Sequence, residues 1–134
     1  MIQLKDINTT TTIDVKHSAL YKKALYIYEL SQKLNKNYLI NPSSLSRPNV
    51  LEDFILISIK LPYTIALAQT SVNYNTKLCS NNTILESIKH LKTYCEELKN
   101  THLYNNKDIT SIDKEISNFT NLYLRWRLIL TQQN

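Results

Sequence analysis

Between positions 108 and 130, apolar residues fall at Ile109, Ile112, Ile116, Phe119, Tyr123, Trp126 and Leu130, in alternating steps of three and four. Polar residues fill nearly all the positions between them, as in Thr110, Ser111, Asp113, Lys114 and Glu115. On a helix this spacing gathers the apolar side chains into one narrow stripe and turns the rest to water. One such helix cannot bury its stripe alone, so the pattern predicts partner helices.

The same spacing recurs upstream. A first helix is expected over residues 14–35, capped by Asp14, with Leu20, Ala24, Ile27, Leu30 and Leu34 on its buried face. Residues 36–49 contain Pro42 and Pro48 and read as a loop, with Tyr38, Leu39, Ile40 and Leu45 packed back on the helices. A second helix is expected over 49–75, along Leu51, Phe54, Ser58, Leu61, Ile65, Ala68 and Val72. Ile55, Ile57, Ile59 and Leu67 widen its apolar surface, as on a helix that is central in a bundle or touches another subunit. Pro62 predicts a kink near Ser58, or two short helices joined at residues 60–62.

Thr83 and Glu86 have capping-box spacing, which starts the third helix at Thr83, whereas Leu78, in phase with Leu85, places the start near Thr76. This helix runs to Asn100 along Ile84, Ile88, Leu91, Cys95 and Leu98. A turn at 102–107 leads to the fourth helix, with Asn105 at its cap and Asp108 in its acidic first turn. Residues 1–13 carry four consecutive threonines and no helical period, and read as a flexible N-terminal arm. The expected fold is therefore all-α: an antiparallel up-down-up-down four-helix bundle over residues 14–134 with an N-terminal arm.

Composition reinforces this. The chain has 134 residues, 43% hydrophobic, enough for one domain with its own core. Glycine is absent, which argues against a β-rich fold with tight hairpins and excludes a glycine-rich phosphate loop. Two cysteines, Cys79 and Cys95, make no disulfide framework, and Cys95 belongs to a buried helical face. No run is long and apolar enough for a signal peptide or a membrane span, so a cytoplasmic location without membrane association is expected.

Catalytic candidates are few. Of the histidines, His17, His90 and His102, only His90 has a suggestive neighbour, Glu86 one helical turn away. A single pair of this kind is too few ligands for a metal site, and neither a metal nor another cofactor is expected. Glu96 and Glu97 are adjacent and point apart on a helix, so they form no acid/base pair. The seam residues are all needed for packing. The chain is expected not to be an enzyme.

The net charge of +5 turns attention to the cations. Lys89, Lys92 and Lys99 fall on roughly one face of the third helix, Arg125 and Arg127 flank Trp126, and Lys22 and Lys23 lie on the first helix. With interleaved tyrosines, these residues are candidates for gripping phosphates and stacking bases. Phe54, Ile57, Leu61 and Trp126 are candidates for a subunit interface.

Three segments carry a family resemblance: residues 27–34 (IYELSQKL), Pro62-Tyr-Thr-Ile-Ala in the second helix, and Ser87-Ile-Lys-His-Leu in the third. In their order and spacing, with Trp126 near the end of the fourth helix, they resemble a family of small bacterial four-helix-bundle proteins. It includes proteins encoded in intervening sequences of 23S rRNA genes and Avd, the accessory protein of diversity-generating retroelements. The chain departs from the family pattern at Ile55 and Leu56, where paired arginines are common, and at Leu67-Ala68, where Glu-Gly is usual. The resemblance implies a non-enzymatic homo-oligomer, a pentamer, that binds RNA or DNA and supports a reverse transcriptase. The alternative is a helical protein–protein scaffold with no nucleic-acid role.

Overall fold

The computed structural model describes residues 18–40, 49–101 and 106–132. They form four helices: α1 (Ala19–Ile40), α2 (Asn49–Thr70), α3 (Tyr74–Thr101) and α4 (Asn106–Gln132). The N-terminal arm, Asp14, His17, Leu45, the two loop prolines, His102 and Asn105 lie outside the described residues, as do the side chains of Tyr38, Leu39, Ile40 and Leu130.

The helices pack in a ring. α1 touches α2 and α4, and α3 touches α2 and α4, while no close backbone approach joins the diagonal pairs among the described residues. Contacts between helix ends set the directions. Ser18 at the start of α1 bonds Gln69 at the end of α2 (3.3 Å). Lys99 at the end of α3 meets Asp113 early in α4 (3.3 Å). Tyr123 late in α4 bonds Asn81 early in α3. Three residues, 71–73, link α2 to α3 and leave room only for an antiparallel turn. The result is an all-α four-helix bundle with antiparallel neighbours.

The buried seams follow the 3–4 rule closely. On α4, Ile109, Ile112, Ile116, Phe119 and Tyr123 are buried, and Trp126 packs on them half-buried. Rings stack along this seam, Phe119 on Tyr123 at 6.4 Å and Tyr123 beside Trp126 at 5.9 Å. On α1 the buried line runs through Leu20, Ala24, Ile27, Ser31 and Leu34. Ser31, not Leu30, takes the central place, because a strict alternation of steps continues from Ile27 by four. Its hydroxyl is satisfied by donating to the Tyr28 carbonyl (2.6 Å), so burial costs little.

Four boundaries differ from expectation. Helix α1 starts at Ala19 with Ser18 as its cap, the Tyr21 N–H donating to Ser18 Oγ at 3.1 Å. It also continues to Ile40, through residues expected to be loop. Helix α2 stops at Thr70, so Val72 is fully exposed instead of extending the seam. Helix α3 starts at Tyr74, earlier than either expected start. Asn73 is the reason: its side-chain oxygen accepts from the N–H groups of Asn75 (2.9 Å) and Thr76 (3.2 Å). Thr83 is no cap; it sits mid-helix and donates to the Cys79 carbonyl (3.0 Å). Helix α2 is one helix through Pro62, not two. Ser58 and Thr64, on either side of the proline, donate to carbonyls one turn back, Phe54 and Lys60.

Candidate nucleic-acid interface

The antiparallel ring brings together four segments distant in sequence: the start of α1, the end of α2, the start of α3 and the end of α4. Residues 18–28, 54–85 and 116–132 supply them, and these contain no aspartate or glutamate. They do contain Lys22, Lys23, Lys60, Lys77, Arg125 and Arg127. All the acidic side chains among the described residues lie in the other half: Glu29, Glu52, Asp53, Glu86, Glu96, Glu97, Asp108, Asp113 and Glu115. Among the described residues, one half of the bundle thus carries only cations, while in the other nine acids outnumber seven lysines. No aspartate or glutamate among the described residues of the first half cancels its positive field.

The expected cations divide along this line. Lys22 and Arg125 are exposed at the acid-free end, with Arg127 half-buried near the Tyr123 phenol. Lys23 belongs to this end too but reaches toward the boundary, where it pairs with Glu115 at 3.7 Å. Lys89 and Lys92 are exposed on α3 in the acid-bearing half. Lys99 is spent on ion pairs with Asp113 (3.3 Å) and Glu96 (3.5 Å). The hydrogen bond and charge of Asp113 raise its pKa, so it is the least available of the group. The seven expected residues therefore do not form one patch. Lys60 and Lys77 complete the cationic end and escape sequence reading, although the acid-free runs 54–85 and 116–132 are visible in the sequence and signal them.

The expected interface residues also divide. Phe54 and Leu61 are completely buried in the chain's own core, which corrects their assignment to a subunit interface. Their 3–4 spacing with Leu51 and Ile65 is what turns them inward. Ile57 and Trp126 are half-buried and pack against the core. The apolar surface of α2 that does face outward is Leu56 (54% exposed), Ile59 and Tyr63 (68%), again in steps of three and four.

Other chemistry is sparse. No group of three or more His, Cys, Asp or Glu able to hold a metal occurs among the described residues. His90 is exposed and stacks on Tyr94 at 6.0 Å. Cys95 is buried, and its thiol is pushed up to about 12, first by burial and then by Asp113, with Lys99 opposing. It is inert as a nucleophile at neutral pH. Among the described residues no helix is long and apolar enough to cross a membrane. No protein-family model, no curated protein and no solved structure matches the chain.

Proposed function

We propose that this chain is a non-enzymatic nucleic-acid-binding accessory protein that engages its partner strand at the acid-free end of the bundle. The observation that carries the reading is the segregation of charge: among the described residues, six cations and no aspartate or glutamate at one end. Sequence-independent grip on a phosphate backbone needs just this, clustered cations without competing acids. The resemblance drawn from residues 27–34, 62–66 and 87–91 points the same way. Under it, the strand is template RNA and the protein partner a reverse transcriptase. The same resemblance implies a homo-oligomer, in which Leu56 and Ile59 of α2 replace Phe54 and Leu61 as the apolar contact.

The experiment is binding of a single-stranded oligoribonucleotide as a function of salt. Five or six neutralised phosphates on a single strand give a slope of log K against log salt of about −3.5 to −4.2. Absence of binding at low salt, or a slope near zero, would refute the reading. The outward apolar stripe on α2, with Leu124 and Leu128 on α4, supports a second reading, a protein–protein scaffold. It predicts an assembly indifferent to both RNA and salt.

A further inference from the structure

A groove of about 460 Å³ runs between α2 and α3 within the acid-free half. Its lining is Thr64 and Leu67 from α2 with Asn75, Thr76, Cys79, Ser80 and Thr83 from α3. The volume falls within the range of small-ligand pockets. None of the lining residues is charged, and the hydroxyls are not equivalent. Thr64 and Thr83 have given their protons to the Lys60 and Cys79 carbonyls and are left as acceptors. Ser80 is only 6% exposed, and its hydroxyl has no hydrogen-bond partner among the described residues.

The groove therefore suits a neutral ligand with both donors and acceptors and a flat apolar body to lie on Leu67. Its surroundings say what that ligand is attached to. Lys60, Tyr63, Thr64 and Leu67 are spaced three, four and seven apart, hence on one face of α2. The face thus sets a cation and an exposed tyrosine ring beside the groove. We propose, resting on the nucleic-acid reading above, that this groove receives one unpaired nucleoside of a single strand. Its base or ribose satisfies Ser80, and its flanking phosphates lie on the acid-free surface, Lys60 first. An unpaired nucleoside supplies donors, acceptors and a stacking face together, whereas the oxygens of polyphosphate supply acceptors alone.

Cys79 supplies the test without altering the protein. It is the exposed cysteine and it lines the groove, whereas Cys95 is buried. The rate at which dipyridyl disulfide, a neutral reagent, modifies Cys79 is measured alone, with an oligouridylate of about a dozen nucleotides, and with inorganic polyphosphate of similar length. Binding of each anion is followed in parallel by titration. At a free oligouridylate concentration about ten times Kd, the rate should fall about tenfold, while bound polyphosphate leaves it within about twofold. Oligouridylate that binds without slowing Cys79 overturns the groove assignment and leaves the nucleic-acid reading standing. Equal protection by polyphosphate overturns the assignment too, since phosphates alone would then cover the groove. If oligouridylate does not bind at low salt, the nucleic-acid reading fails and this inference fails with it.

Discussion

Replacing Tyr123 with phenylalanine should destabilise the fold at neutral pH and stabilise it at high pH. Tyr123 is fully buried, and its hydroxyl donates to Asn81 Oδ1, with the Asn81 carbonyl at 3.3 Å. Asn81 also donates from Nδ2 to the Lys77 carbonyl at 2.8 Å, so its amide is held in place. Removing the phenol oxygen leaves Asn81 Oδ1 without its donor. Asn81 is only half-buried, so water can partly replace the bond, and the cost should be about 1 kcal/mol. For a chain of this length that lowers the melting temperature by about 3–4 °C. Burial raises the Tyr123 pKa from 10.0 to about 12, against the lowering influence of Arg127. The fold therefore favours the neutral phenol. That stabilisation is fully present below pH 10 and is lost as the pH climbs through about 12, because the unfolded chain ionises first. The loss is about 2–3 kcal/mol across that window, and Tyr123→Phe escapes it. The two stability curves should cross near pH 11, roughly where the lost ionisation term equals the lost hydrogen bond. Urea unfolding followed by far-UV circular dichroism from pH 7 to 11.5 measures this. A stability difference that keeps its sign throughout would refute the argument.

Other outcomes follow from the packing. Phe54→Ala should cost about 3–5 kcal/mol, with a loss independent of protein concentration, because the ring fills the chain's own core; unfolding midpoints at two concentrations check this. Ser18→Ala should cost about 1 kcal/mol through loss of the α1 cap, read by chemical denaturation. In the native protein one thiol should react quickly and the other only after unfolding, since Cys79 is exposed and Cys95 buried; a thiol titration with and without denaturant separates them.

The four helices and most of their buried faces were legible because a step of three or four residues has only one helical meaning. The α4 seam reads directly from Ile109 to Tyr123. Helix ends were harder, since several residues in each link could serve as caps. Thr83 with Glu86 has the spacing of a cap, yet Asn73 wins because its oxygen reaches two free N–H groups at once. Apolar content alone could not separate core from surface on α2. Phe54 and Leu56 are two residues apart, and it is the 3–4 spacing of Phe54 with Leu51 and Ser58 that buries the one and exposes the other. The cationic end was spread over three sequence segments. Lys22, Lys77 and Arg125 become neighbours in charge only when antiparallel packing stacks helix starts on helix ends, with Lys60, at mid-length of α2, on the edge of the group. Lys89 and Lys92 form a tidy group on their own helix, although acidic residues outnumber cations among the described residues of their half.

The location of the interface is the claim on which the account turns, and a matched pair of charge-removal variants tests it. One replaces Lys22, Lys60, Lys77 and Arg125 with glutamine; the other replaces Lys33, Lys89, Lys92 and Lys114. Each loses the same formal charge, so a general effect of net charge cancels between them. Oligouridylate binding to each is measured across a range of salt. The first variant should bind about a hundredfold more weakly at low salt, its salt slope shallower by about 3, while the second keeps the parental slope. Equal losses in the two variants, or a larger loss in the second, would contradict it.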